Sequence, residues 1–129
     1  MKRENAINWL NFAKEDLISS EVLFNEGLLN TAAYHLQQAV EKSLKAILIL
    51  KGRNPPKTHD INRLFREVSK YYPIPDDIKR AVDLTDYAFT TRYPDDYVPI
   101  SKDEYEEAYE IALKVYEWAK GIIEGSALE

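Results

Sequence analysis

The sequence predicts an all-α protein, an antiparallel up-and-down helical bundle of three long and two shorter helices. Apolar residues recur at steps of three and four along nearly the whole 129-residue chain, which is the spacing of one helix face. Prolines and glycines divide this pattern into five segments, and no useful stretch alternates as a β-strand does. Because the chain has the length of one ordinary domain, we expect a single domain over residues 1–129.

The first two predicted helices are long and are each followed by a glycine. The first is expected over residues 3–25, with Gly27 as its stop signal. For the second, Asn30 is the expected N-cap, and Gly52 follows the last turn. The core stripe of this second helix is Ala33, Leu36, Val40, Leu44 and Ile47.

The remaining helices are separated by proline-containing loops. A stiff connector over residues 53–60 precedes a third helix, expected over residues 59–71 with Thr58 as its N-cap. A fourth is expected over residues 76–89. Ser101 and Glu104 have the spacing of a capping box, which predicts that a fifth helix starts there and runs to about residue 124. Its expected core residues are Tyr105, Ala108, Ala112, Val115, Ala119 and Ile122.

Composition excludes several classes of site. The absence of cysteine excludes disulfides and thiolate metal sites, and two histidines are too few for a three-histidine centre, so we expect no metal and no cofactor. The longest apolar run, residues 46–50, is too short to cross a bilayer, and the first residues do not resemble a signal peptide. We therefore expect a cytoplasmic protein without membrane partners. A single methionine and many lysines and glutamates suggest a thermophilic source.

Charge is distributed unevenly along the chain. The net charge of −5 argues against general coating of nucleic acid, but positive residues concentrate between residues 42 and 66. Four polar residues of the second helix share one face: His35, Gln38, Lys42 and Lys45. We call these four residues the α2 stripe, after the second helix, α2, which is expected between Asn30 and Gly52. Two interpretations remain open for it. It is a solvated surface, or it faces a polyanion, a nucleotide or a partner chain.

Three segments in order resemble the HEPN domain family: "AAYHLQQAVEKSLKAIL", "PPKTHDINRLF" and "RYPDDY". The resemblance covers nearly the whole chain and implies a bundle of four or five helices that commonly forms a homodimer. It also implies pairing with a small nucleotidyltransferase, in modules that behave like toxin and antitoxin. Many members of the family are thought to bind nucleotides or RNA.

The resemblance also raises the possibility of an enzyme. Several HEPN branches are metal-independent ribonucleases with an arginine, a polar residue, and a histidine after four to six intervening residues. Arg53, Asn54 and His59 fit that spacing. A histidine takes the proton of a ribose 2′-hydroxyl while an arginine stabilises charge on the phosphate. Against this, the family motif usually lies nearer the C-terminal helices, and a histidine beside an N-cap often only fixes the entry of the chain.

A second group of candidates lies in the loop over residues 90–100. Arg92 with Tyr93 and Tyr97 has the chemistry to clamp a phosphate and stack a base. The alternative is that Arg92 pairs with a neighbouring aspartate while the tyrosines pack on the bundle.

The leading hypothesis is a non-enzymatic HEPN module. It binds a nucleotide or RNA, or docks a nucleotidyltransferase, through one groove formed by the α2 stripe, the connector and the Arg92 loop. The competing hypotheses are a metal-independent endoribonuclease that uses Arg53 and His59, and a purely structural interaction bundle.

Overall fold

The computed structural model describes residues 1–86 and 100–126, and most of these residues are helical. The elements are α1 (Lys2–Asn25), α2 (Leu29–Leu50), α3 (Ile61–Val68), a 3-10 helix (Asp76–Asp86) and α4 (Lys102–Gly125). No strand occurs in the described part of the chain, so the predicted all-α bundle with three long helices is confirmed. None of the helices in this part is long and apolar enough to cross a bilayer.

Helix α2 is the centre of the bundle, because it packs against α1, α3, α4 and the 3-10 helix. Its predicted core stripe is confirmed, and Leu36, Leu44 and Ile47 are completely buried. Burial of a leucine or isoleucine contributes about 1.5–3 kcal/mol. The polar residues of α2 are thereby held in fixed positions by an apolar face on the other side of the same helix.

Both predicted glycine stops are confirmed. Gly27 has a φ of +81° and Gly52 a φ of +75°, a left-handed conformation that residues with a Cβ rarely adopt. At the end of α2 the Gly52 amide donates to the Ile49 carbonyl and the Arg53 amide to the Leu48 carbonyl. This is the Schellman pattern, and it turns the chain from α2 into the connector.

Two predicted N-caps are wrong. Helix α2 begins at Leu29, one residue before Asn30, and the Asn30 side chain instead accepts a hydrogen bond from the amide of Ile100, which precedes α4. Helix α3 is capped by Asp60, whose carboxylate accepts from the Asn62 amide at 3.0 Å. Asn30 fails as a cap because its side chain is engaged by a residue distant in sequence. Thr58 fails because Asp60, two positions later, caps α3 instead.

Helix α3 and the segment after it are shorter or tighter than predicted. Helix α3 ends at Val68 rather than residue 71. Pro73 follows a few residues later, and a proline disfavours helical geometry in the residue before it. The predicted fourth helix is a 3-10 helix. Its buried residues, Ile78, Ala81 and Leu84, recur every three positions, which suits three residues per turn. Residues 87–89 lie outside the described residues.

Helix α4 begins as predicted. The Glu104 amide donates to Ser101 Oγ at 3.1 Å, and the Ser101 amide donates to the Glu104 carboxylate at 3.2 Å. All the predicted core residues of α4 are buried except Ile122, which is only partly so. Ile123 is fully buried in its place, because the step from Ala119 to the next core position is four residues rather than three.

Candidate functional site

The α2 stripe lies half-buried beside α1, where a single carboxylate organises part of it. Asp16 of α1 is only 7% exposed. One of its oxygens lies 2.8 Å from His35 Nδ1, and the other accepts from Lys42 Nζ at 2.6 Å. We call Asp16, His35 and Lys42 the Asp16 cluster. It joins α1 to α2 through charge-assisted hydrogen bonds.

A second carboxylate organises the other side of the stripe. Glu41, which is 5% exposed, accepts from Lys45 Nζ at 2.6 Å and from Gln37 Nε2 at 2.9 Å. Its Oε2 also lies 3.0 Å from His59 Nδ1, in the connector before α3. We call Glu41, Gln37, Lys45 and His59 the Glu41 cluster. Gln38 adjoins it by donating to Gln37 Oε1 at 2.7 Å.

The two clusters have similar composition: a buried carboxylate, a histidine bound through Nδ1, and a lysine. A carboxylate on Nδ1 favours the tautomer that carries its proton there, so Nε2 is the basic nitrogen in each ring. The two lysine charges are balanced by the two carboxylates. The α2 stripe is therefore a polar surface held by buried carboxylates rather than a row of uncompensated positive charges.

The buried polar atoms beneath this surface are all hydrogen-bonded. No buried side-chain nitrogen or oxygen among the described residues lacks a hydrogen-bond partner. Taking a carboxylate and an ammonium out of water costs several kcal/mol per ion, and their mutual attraction often does no more than offset that cost. Two such pairs side by side are thus a weak contribution to stability.

Sequence reasoning did not identify Asp16 or Glu41 as residues of the site. The signal for Asp16 was present, because it lies one helical turn after Ala13 and beside Leu17, at the edge of the buried face of α1. A carboxylate at such a position needs a partner from another element. Which element supplies that partner follows from the packing of α1 on α2, which the sequence does not state.

The two residues of the possible ribonuclease motif have different neighbours. His59 is joined to Glu41, whereas Arg53 lies beside Ile49 and Gly52. Eight residues of helix separate Glu41 from Ile49, a rise of about 12 Å. The structure thus groups His59 with Lys45 and Gln38, and it places Arg53 nearer the start of α1.

The charge of Arg53 also reaches α3. The pKa of the Glu67 carboxyl is lowered, chiefly by its hydrogen bond from Lys70 and to a smaller extent by the charges of Arg53 and Arg63. The end of α2 meets the segment after α3, because Lys51 Nζ lies 4.8 Å from the centre of the Tyr72 ring.

The loop candidates Arg92, Tyr93 and Tyr97 lie outside the described residues. Within residues 1–86 and 100–126, no group of three or more histidine, aspartate or glutamate side chains has the arrangement of a metal site.

Comparison with known proteins identifies the family. The HEPN domain model matches residues 6–122. The chain is 31% identical over 127 residues to a Methanocaldococcus jannaschii protein named "Putative toxin MJ1304", and the match covers 86% of this chain and 83% of that one.

Two solved structures are similar along almost their whole length. The crystal structure of TT1696 from Thermus thermophilus has a TM-score of 0.82 at 28% identity, covering 93% of this chain and 98% of that chain. The crystal structure of ST0689, an archaeal HEPN homologue, has a TM-score of 0.72 at 26% identity, covering 92% and 97%. The resemblance predicted from three short segments is confirmed, and this chain belongs to the HEPN domain family.

Proposed function

We propose that this chain is the toxin-like component of a toxin–antitoxin pair and that it binds RNA or a nucleotide along the α2 stripe. The archaeal relative whose name describes a toxin supports the first part of the proposal, since it matches most of both chains. The buried carboxylates beneath the stripe support the second part.

The observation that carries the proposal is that Asp16 and Glu41 hold two histidines and two lysines along one face. Each lysine ammonium has three donor hydrogens, and its carboxylate uses one in the contacts described above. The side chain of Lys42 is 29% exposed, so its remaining hydrogens are within reach of a phosphate oxygen. A pre-ordered ammonium binds with little further loss of side-chain entropy.

The test is the binding of a short fluorescent single-stranded RNA, followed by anisotropy, to the wild-type chain and to Lys42→Met. The substitution removes the donor but keeps the aliphatic stem. We expect binding about tenfold weaker, which corresponds to one charge-assisted hydrogen bond. The dependence of affinity on salt should also become shallower, because one phosphate contact is lost.

The matched control is Lys114→Met on α4, where the lysine also has a glutamate one turn away, at 3.7 Å, but lies on the open surface. It should bind RNA as the wild type does. Equal binding by Lys42→Met and the wild type, with both chains folded, would rule out the stripe. Failure of the wild-type chain to bind any RNA or nucleotide would instead favour the purely structural bundle.

A second candidate, the metal-independent endoribonuclease, is favoured by the bond between Glu41 and His59. In this reaction His59 Nε2 takes the proton of a ribose 2′-hydroxyl, and the 2′-oxygen attacks the adjacent phosphorus. The bond to the 5′-oxygen breaks, and that oxygen takes a proton from water; the hydroxide left behind receives the proton held by His59. The products are a 2′,3′-cyclic phosphate and a 5′-hydroxyl. Arg53 keeps its proposed role on the phosphate.

Incubation of the chain with mixed RNA in EDTA tests this candidate. Cleavage that is absent in His59→Ala and weakened in Glu41→Gln supports it. No cleavage by the wild type leaves the binding module as the function, and cleavage that survives in His59→Ala assigns the activity to other residues or to a contaminant.

The partners implied by the family belong to the same proposal. We expect a homodimer and a small nucleotidyltransferase as the antitoxin partner. Light scattering should give twice the 15.0 kDa of one chain, and a co-expressed nucleotidyltransferase should co-purify with it. A monomer that retains no such partner would contradict this part of the proposal.

A further inference from the structure

A hollow of about 580 Å³ lies between the first turns of α1 and the start of the connector. Its volume lies within the range typical of small-molecule sites. The residues that matter for its chemistry are Asn5, Asn8, Trp9, Phe12, Arg53 and Asn54. None of them belongs to the Asp16 or Glu41 cluster.

The hollow continues the α2 stripe. Ile49, which also lines it, follows Lys45 by one helical turn on the same face of α2. On the opposite wall, Phe12 precedes Asp16 by one turn of α1. The two walls of the hollow therefore belong to the same helices that carry the clusters, one turn after Lys45 on α2 and one turn before Asp16 on α1.

Two aromatic side chains form the apolar part of the hollow. Phe12 is 54% exposed, although it lies on a helix that has a large apolar face to bury. Trp9, three residues earlier, packs partly against the core. An indole held by the core with an exposed phenyl ring one turn along provides flat surfaces on which a nucleobase stacks, and such stacking is tolerant of base identity.

The polar part of the hollow contains three carboxamides and two cations. Asn5 and Asn8 lie about one turn apart on α1, and Asn54 lines the hollow from the connector. Each carboxamide offers both a donor and an acceptor to the edge of a base. Arg53 and Lys2 supply positive charge, and no carboxylate is among the lining residues.

The lysine has a defined position. Lys2 lies across Gly52, with its ammonium nitrogen 2.7 Å from the point that a Cβ at Gly52 would occupy. A glycine at this position therefore both ends α2 and leaves room for the cation. Stacking surfaces, carboxamides and paired cations in one hollow are the combination that recognises a nucleotide with its phosphate.

We infer that this hollow is a nucleotide subsite: one base of a single-stranded RNA stacks on Trp9 and Phe12, and its phosphate is bound by Arg53 and Lys2. The inference rests on the proposed function, because the rest of the RNA would continue along α2 to the α2 stripe. It adds a place that recognises the base, whereas the stripe contacts the backbone.

The fluorescence of Trp9 gives a direct test. The sequence has two tryptophans, so Trp118→Phe on α4 leaves Trp9 as the only indole. This chain is titrated with a short oligouridylate and with the same oligomer made of abasic sugars. We expect the base-containing RNA to quench Trp9 and to bind about 5- to 100-fold more tightly than the abasic one, the range for stacking of one base.

In this background, Phe12→Ala should abolish most of the difference between the two oligomers. Val22→Ala, which removes an equally exposed apolar residue from another part of α1, should keep it. Melting followed by circular dichroism checks that each variant is folded.

The outcomes separate the two ideas. If RNA binds and Lys42→Met weakens it, but the abasic oligomer binds equally well and Trp9 emission is unchanged, the hollow is not a base site and the proposed function stands. If neither oligomer binds at all, both are overturned. Loss of discrimination in Phe12→Ala with retention in Val22→Ala supports the subsite.

Discussion

At the scale of single residues, Glu41 shows how much one buried carboxylate organises. It accepts hydrogen bonds from Gln37 and Lys45 of its own helix and lies against His59 of the connector. These bonds fix where the connector meets α2, and therefore where α3 begins. A group of this kind specifies geometry more than it adds stability.

Glu41→Gln should destabilise the protein by roughly 3 kcal/mol, because it leaves the nearly buried Lys45 ammonium without its counter-charge. Glu110→Gln is the matched control, since Glu110 pairs with Lys114 one turn away on an exposed face. We expect the control to change stability by less than about 0.5 kcal/mol. Urea unfolding of both variants measures the difference, and similar losses in the two would contradict this account of Glu41.

A tyrosine provides the pH dependence. Burial, together with the hydrogen bond to Glu21, raises the pKa of Tyr109 to about 12. The neutral phenol is thus favoured in the folded state, so its contribution is complete below the unfolded pKa of about 10. That contribution is lost as the pH rises from about 10 towards 12.

Urea unfolding measured across that pH window should show stability falling less steeply in Tyr109→Phe than in the wild type. Tyr105 and Tyr116, whose pKa values are also raised by burial, remain in both proteins and contribute a common background. Parallel curves for the two proteins would show that Tyr109 does not titrate as described.

At the scale of elements, the starts and ends of helices separate local from tertiary control. The glycines after α1 and α2 and the capping box of α4 follow from local chemistry, and all were predictable. The N-terminus of α2 was not, because Asn30 is engaged by the Ile100 amide, seventy positions away.

Ser101→Ala should cost about 1 kcal/mol, since the Glu104 amide loses its acceptor at the start of α4. Thr58→Ala, at the position where sequence alone places the cap of α3, should cost less than Asp60→Ala, which removes the acceptor that the Asn62 amide uses. Thermal unfolding of the three variants gives the ranking. A lower melting temperature for Thr58→Ala than for Asp60→Ala would contradict the assignment of Asp60 as the cap of α3.

At the scale of the whole molecule, α2 is the element on which the others pack. Leu44→Ala, at a completely buried position of α2, should destabilise the bundle by about 2–5 kcal/mol. Val22→Ala, on the exposed side of α1, should change stability by less than about 0.5 kcal/mol. Chemical denaturation of both variants checks this, and a small effect at Leu44 would mean that α2 is not the centre of the core.

The fold could be predicted further than the site because the two depend on different kinds of information. Helical periodicity, glycine stops and a capping box are local, so the sequence alone determined the all-α bundle, its three long helices and the polar face of α2. The order of three short segments also sufficed to indicate the HEPN family.

The tertiary structure alone decided what that polar face is attached to. Asp16 lies on another helix and His59 in a connector, and only the packing of these elements on α2 brings them to Lys42 and Glu41. Packing likewise forms the hollow near Trp9, which Arg53 also lines. Contacts between residues distant in sequence depend on how the helices cross and at what level they meet. A local pattern of side chains carries no information about either.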